Sequence, residues 1–224
     1  MTEPHDDNNF EFFSIAKKLK RQQALLHAVN ETAQVLLASV DGEKFESSVL
    51  EGMSIIARTL DVDRGYIWQN ETRGGVLHYA MRFQWQNDTG LFTNPVENKA
   101  VYPYSQIPGW AAKFLKGECV NGTLNDLSRE EQERLLPHGM KSVFAIPVFL
   151  QNFFWGYVSF DDCRQERVIT EDEINILRSV SLMLVNAINH NDQEIKNLEI
   201  HRQRNNLLHV INNTASILLQ AEVD

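Results

Sequence analysis

The sequence predicts a mixed α and β fold in which long helices at both ends of the chain flank a group of strands. Apolar residues recur at helical spacing in both terminal regions, and between them the spacing changes towards a period of two. The composition, with 43% hydrophobic and 23% charged residues, is typical of a globular protein and not of a disordered one.

Two amphipathic helices are predicted first. The earlier helix runs from Asn9 to about Val40, and Gly42 ends it. The second helix runs from Phe45 to Leu60, with its apolar residues on one face. Because the first helix repeats its apolar positions every seven residues, it carries the seam of a coiled coil.

Two strands and a long loop follow. A short strand from Gly65 to Trp68 and a longer one from Val76 to Trp85 are separated by a turn at residues 72–75. Residues 87–99 are polar and rich in turn formers. They predict a long surface loop, and loops of this length are often functional.

Two short helices precede a hairpin. The helices are predicted from Ile107 to Lys116 and from Ser128 to Leu136, where Glu131 completes a capping box with Ser128. Two apolar runs, Ser142 to Leu150 and Phe153 to Asp161, are joined by only two residues. That connection predicts an antiparallel hairpin.

The last helix begins at Thr170, where Glu173 closes a capping box, and it shows no stop before Asn205. Its seam contains one asparagine, a residue that fixes the register of parallel coiled coils. We therefore predict a homodimer that forms through the two long helices. The candidate seam residues are Leu19, Leu26, Leu184, Ile188, Asn191, Ile195 and Leu198.

A segment of the first helix is repeated near the end of the chain. Residues 25–37 align without gaps to residues 207–219, and the two segments are identical at eight of thirteen positions, including His27 and His209. We therefore expect the sequence to be a fragment that ends inside the first helix of a second, similar unit.

Charge and targeting features exclude several functions. The 21 basic and 30 acidic residues give a net charge of −9, which argues against nucleic acid as a partner. The first ten residues have neither the basic end nor the apolar run of a signal peptide, and no apolar stretch approaches the length of a membrane span. Cys119 and Cys163 are too few for a disulfide framework. These features predict a cytoplasmic protein that contacts neither membrane nor nucleic acid.

The order of elements and several short motifs resemble a GAF domain. The resemblance rests on four features: the Trp-Gly strand from Phe153 to Asp162, the segment from Lys141 to Val148 before it, Arg64 at the start of the first strand, and Trp85 at the end of the second. The likeness covers residues 25–189 and is strongest to the sensor modules of bacterial histidine kinases and of cyclic-dinucleotide signalling proteins such as diguanylate cyclases.

The resemblance implies an α+β fold of α/β/α type, with a central antiparallel sheet of about five to six strands. Long N- and C-terminal helices would pack on one face, while short helices and loops would cover a pocket on the other. It implies three regions: a helical extension at 1–20, a sensor domain at 21–190, and a signalling helix at 191–224 that runs into the second unit.

Pocket candidates are the aromatic residues of the strands and the short helix, together with a few polar groups between them. Each tryptophan is as well explained by core packing as by ligand contact. The candidates are Trp68, Arg82, Trp85, Trp110, Cys119, Ser142, Phe144, Trp155 and Asp161.

The sequence does not name a cofactor, and it is compatible with a non-covalent small molecule. GAF domains that attach a bilin use a cysteine usually followed by histidine, whereas Val120 follows Cys119 and Arg164 follows Cys163. We therefore expect no bilin. We also expect no metal, because no two histidines have ligand spacing with a third ligand nearby.

Three functions stay open. The first is a regulatory module that senses a small molecule, dimerises, and relays its state through a coiled coil to an output domain of a bacterial signalling protein. The second is a ligand-free dimerisation or spacer scaffold. The third is a small redox enzyme, which requires Cys119 to have a depressed pKa. No catalytic motif is present, so we expect that the chain is not an enzyme.

Overall fold

The computed structural model describes residues 5–38 and 44–221. The chain divides into two compact units, Met1–Val185 and Asn186–Asp224. The first unit contains the sheet and all short helices, and the second is the later part of the last helix. The predicted helix end at Gly42 lies outside the described residues.

Six antiparallel strands form one sheet in the order β3-β2-β1-β6-β5-β4. The long central strands pair along most of their length, and the two edge strands are short. Their bounds are β1 Arg64–Arg73, β2 Val76–Gln86, β3 Val101–Pro103, β4 Val120–Thr123, β5 Ser142–Leu150 and β6 Phe153–Asp162.

The described chain contains three long and three short α-helices. Every helix predicted from periodicity is present, with ends that differ by a few residues. The bounds are α1 His5–Ala38, α2 Phe45–Leu60, α3 Asp88–Phe92, α4 Pro108–Leu115, α5 Arg129–Leu135 and α6 Glu171–Ala221.

The long helices of the first unit pack on one face of the sheet. A Cβ atom at Gly65 of β1 would lie 3.5 Å from both Met53 of α2 and Phe160 of β6. A Cβ at Gly52 of α2 would meet Thr32 of α1 and Leu184 of α6. The α/β/α arrangement with long helices on one face is therefore confirmed.

Three elements differ from expectation. The loop predicted at 87–99 contains helix α3, which begins because Asn87 accepts a hydrogen bond from the Gly90 amide. Strands β3 and β4 were not predicted, since runs of three and four residues are too short for a period of two to be recognised.

Candidate functional site: an aromatic cavity with a buried carboxyl group

A cavity of about 50 Å³ lies on the sheet face opposite the long helices. Strands β1 and β6 provide its floor because alternate residues of a strand share one face. Tyr66 stands opposite Ser159, and Trp68 stands opposite Tyr157, across these two strands. The short helices and the loop before β5 form its walls and its mouth.

Aromatic rings make up most of the cavity wall. Trp68 lies edge-on to Tyr79 with ring centres 5.1 Å apart and stacks on Tyr157 at 5.9 Å. Trp110 from α4 meets Tyr157 edge-on at 6.1 Å. These contacts hold the rings in fixed orientations and make the wall largely aromatic.

Several buried polar groups face this cavity, among them Asp161 and Trp110. Asp161, at the end of β6, is 2% exposed. Burial raises the pKa of its carboxyl group to about 7, although the Arg64 guanidinium nearby opposes that rise. Trp110 is 4% exposed, and its indole nitrogen has no hydrogen-bond partner in the described chain.

Arg64 stands directly opposite Asp161 across β1 and β6 and is fully buried. Its guanidinium donates hydrogen bonds to the backbone carbonyl oxygens of Gly90 and Thr93, and the Nε–O distance to Gly90 is 3.1 Å. Arg64 therefore ties the helix α3 region to the sheet beside the cavity.

Arg134 and His138 lie at the mouth. The guanidinium carbon of Arg134 is 4.1 Å from the ring centre of Tyr102, a cation–π contact. His138 shares a 3.0 Å hydrogen bond with the backbone oxygen of Asn94. The segment that carries these two residues thus closes over the aromatic wall.

The residue after Asp161 holds the connection to α6. Asp162 is fully buried, and its Oδ2 accepts a 2.7 Å hydrogen bond from Arg167 Nε. Arg167 also donates from Nη2 to the carbonyl oxygens of Leu60 and Asp61 at the end of α2. One side chain therefore joins the sheet, α2 and the loop that leads into α6.

Of the nine pocket candidates, Trp68, Trp110 and Asp161 line the cavity, and the other six lie elsewhere. Phe144 pairs with Phe160 on the helix-covered face. Ser142 donates to Gln165 O and binds the loop before α6. The remaining four line no part of the cavity: they are Arg82, Trp85, Cys119 and Trp155.

Most of the residues that line the cavity were not among the residues predicted from the sequence. Period-two alternation backwards from Asp161 would have found Ser159 and Tyr157. No local pattern singles out the lining residues that come from other elements: Tyr66, Tyr79, Val96, Tyr102, Ile107, Arg134, Leu135, His138, Met140 and Val143.

The surroundings of Cys119 do not favour a reactive thiolate. Its side chain is half-buried, and that burial raises the pKa of the thiol, although Arg178 opposes the rise. This direction is opposite to the one that the redox-enzyme alternative requires.

The candidate seam residues fall into two groups. Leu184 and Ile188 are buried within a single chain, and Asn191 is half-buried. The remaining four are exposed and free to contact another molecule: they are Leu19, Leu26, Ile195 and Leu198. The seam itself stays a prediction.

The described residues contain neither a candidate metal site nor a candidate membrane span. No group of three or more His, Cys, Asp or Glu side chains there could hold a metal ion. No described helix has the length and apolar content that a membrane-spanning helix needs.

One curated relative is a signalling protein. The chain is 26% identical over 163 residues to the methanogenesis regulatory histidine kinase FilI of Methanothrix harundinacea (strain 6Ac). The match covers 72% of this chain and 18% of that kinase, so the chain spans about a fifth of its relative.

Solved structures share the fold. The phycocyanobilin-bound GAF domain of a cyanobacterial phytochrome superposes with a TM-score of 0.62 at 16% identity, covering 76% of this chain and 96% of that one. The GAF domain of a phosphoenolpyruvate-protein phosphotransferase from Coxiella burnetii gives 0.59 at 12% identity, covering 77% and 97%.

Our expectation that no bilin binds was wrong. Several similar structures are bilin-bound GAF domains, with phycocyanobilin, phycoerythrobilin or biliverdin. The residue that follows a cysteine is therefore too weak a criterion to exclude this ligand class. At 14–17% identity these structures show the fold alone.

The family model for the GAF domain matches residues 47–188. This range begins in α2, contains the whole six-stranded sheet with its short helices, and ends in α6. It includes both strands that carry the cavity floor and the loop that Arg167 anchors. The match covers more than half of the chain, and the chain therefore belongs to the GAF domain family.

Proposed function

We propose that this GAF domain is the regulatory, ligand-sensing module of a signal-transduction protein. One observation carries the proposal: the cavity residue Asp161 is followed directly by Asp162, which anchors the loop leading into α6. A ligand that moves Asp161 therefore also moves the anchor of that loop. The catalytic step of such a protein would belong to an output domain elsewhere in the same polypeptide.

Further hydrogen bonds attach the loop before α6 to neighbouring strands. Arg167 N donates a 2.7 Å hydrogen bond to Ser142 Oγ, and Asn121 exchanges two hydrogen bonds with the Ile169 backbone. These partners belong to the neighbouring strands β4 and β5. A shift of the sheet at the cavity would thus change the position at which α6 begins.

Native mass spectrometry of the purified chain, compared with the same sample after denaturation, tests the sensing function. We expect a small mass that is retained only in the native state. Hydrogen exchange of loaded and stripped protein should then differ at residues 163–170 as well as at the cavity. A difference confined to the cavity would contradict the relay through Asp162.

The proposal includes a homodimer that forms through the long helices. It is supported by the exposed leucine and isoleucine side chains of α6, among them Leu198 at 69% and Ile195 at 47% exposure. Large apolar side chains repeated at heptad spacing favour a partner helix.

The alternative is a ligand-free scaffold. The observation that favours it is the small volume of the cavity, because about 50 Å³ leaves space for little more than water. In that case the aromatic rings are the filling of a core. A native mass equal to the sequence mass in a dimeric sample would support the scaffold over the sensor.

A further inference from the structure

Two buried polar atoms of the cavity wall lack hydrogen-bond partners within the described part of the chain: the indole nitrogen of Trp110 and the hydroxyl oxygen of Tyr66. The carboxyl group of Asp161 is buried in the same wall. A buried polar atom left without a partner costs about 1–3 kcal/mol. A hydrogen-bonding ligand would remove these costs, so the polar groups of the wall define what that ligand must offer.

The chemistry of these groups restricts the ligand. Trp110 is only a donor, so it needs an acceptor. A carboxyl group forms two parallel hydrogen bonds with an amidine-type edge, which consists of a ring nitrogen and the amino group beside it. That pairing works for a carboxylate with a protonated ring and for a neutral carboxylic acid with a neutral ring. Either state of Asp161 therefore recognises the same ligand edge.

The walls restrict its shape. Trp68, Tyr79 and Tyr157 are in mutual contact and line the cavity. A flat ring packs on aromatic side chains better than a branched aliphatic group does. The ligand should thus be planar as well as hydrogen-bonding.

We propose that the cavity binds a small planar nitrogen heterocycle, whose amidine-type edge pairs with Asp161 and whose second ring nitrogen accepts the Trp110 N–H. This inference rests on the proposed sensing function, because it names the class of molecule that the same cavity senses.

Arg134 acts as the gate of this site. The cavity measures about 50 Å³, whereas a cavity that takes up benzene measures about 150 Å³. Arg134 lines the mouth and lies over Tyr102, so its side chain occupies space next to the aromatic wall. A six-membered ring enters only when this side chain moves away, and binding therefore opposes the cation–π contact.

The test uses 2-aminopyrimidine as the probe, followed by NMR through the four indole N–H signals of a ¹⁵N-labelled chain. Pyrimidine, which lacks the amino donor, and toluene, which lacks both polar features, are the matched control compounds. We expect saturable binding of 2-aminopyrimidine only, with the largest shift at the indole signal that is absent from W110F.

Three variants test the contributions of Trp110, Asp161 and Arg134 to binding separately. W110F keeps the ring and loses the N–H, so the affinity should fall about fivefold, the equivalent of one hydrogen bond. D161A should lose detectable binding, and R134A should bind more tightly than the unaltered chain. If D161A does not fold, W110F and R134A still decide the outcome.

Two results would overturn the proposal in different ways. Equal binding of toluene or pyrimidine would show a ligand cavity that does not use the amidine edge, which contradicts the ligand class and leaves the sensing function standing. Binding of no probe to the unaltered chain or to R134A would also contradict the class. The native mass measurement then decides independently whether the sensing function fails as well.

Discussion

Thr32 of α1 packs directly against Gly52 of α2: a Cβ atom at position 52 would lie 2.7 Å from Thr32 Cγ2. Thr32 is fully buried, and its hydroxyl donates to Ala28 O at 2.8 Å. The two helices therefore approach as closely as they do only because residue 52 has no side chain.

Gly52→Ala should accordingly destabilise the chain. Alanine favours a helix over glycine by about 1 kcal/mol. Crowding in a packed interior costs about 1–3 kcal/mol, so we expect a net loss of roughly 1 kcal/mol in the free energy of unfolding. Chemical denaturation measures it.

The control for this loss is the double variant G52A/T32S, because serine keeps the hydroxyl and lacks the methyl group that clashes. The loss of unfolding free energy in the double variant should be smaller than the sum of the losses in the two single variants. Strict additivity of G52A and T32S would refute the close approach as the cause.

Asp161 should make stability fall as the pH rises. Its carboxyl pKa is about 7 in the folded chain, against 3.8 for an unperturbed aspartate, so between these values the folded state binds more protons than the unfolded state. Stability contributed by the protonated form is complete below about pH 4 and is lost towards pH 7, at about 1.4 kcal/mol per pH unit.

Asp161→Asn isolates this effect, because asparagine has the same shape and does not titrate. Urea denaturation at several pH values should show D161N gaining stability over the unaltered chain as the pH rises from 5 to 7. The contribution of every other titrating group cancels in that difference. Parallel curves for the two proteins would show that Asp161 titrates in its ordinary range.

Arg167→Ala should be among the more damaging single changes in the first unit. It leaves Asp162 buried without the 2.7 Å ion pair, and it frees two carbonyl oxygens at the end of α2. Loss of one partner of a buried ion pair costs about 3–5 kcal/mol. The measurement is again chemical denaturation.

Arg129→Ala provides the matched control, because the Arg129–Glu133 ion pair lies on the exposed surface of α5. Such a pair contributes about 0.5 kcal/mol or less. If R167A and R129A destabilised the chain equally, the anchoring role of Arg167 would be wrong.

The part of the fold that sequence patterns predicted is the part with strong periodicity. Helix α2 has the predicted bounds, Phe45–Leu60, because its apolar residues recur at helical spacing on one face. Strand β5 is different, since seven of its residues are buried on alternating faces and the run reads as continuously apolar. Nothing in such a run tells which side chains face the cavity.

That ambiguity explains why several pocket candidates lie away from the cavity. Phe144 is aromatic and buried, yet its neighbours Val143 and Ala145 are the residues of β5 that pack in the aromatic cluster. The gate residue Arg134 lies on a short polar helix, where its charge reads as a solvated surface group. Its position over Tyr102 depends on the packing of distant segments, which no local pattern encodes.

The exposed apolar side chains of α6 give the last prediction, which concerns dimerisation. Leu198→Asn places a polar amide where the proposed seam needs an apolar contact, and the dissociation constant of the dimer should rise about tenfold or more. Leu115→Asn is the matched control, because Leu115 ends the short helix α4 and is similarly exposed, at 65%. Analytical ultracentrifugation of the three proteins across a concentration series measures the effect. We expect the unaltered chain and L115N to dimerise alike and L198N to dissociate at higher concentrations. Equal weakening by L198N and L115N, or a chain that is monomeric throughout, would show that this face of α6 does not join two copies.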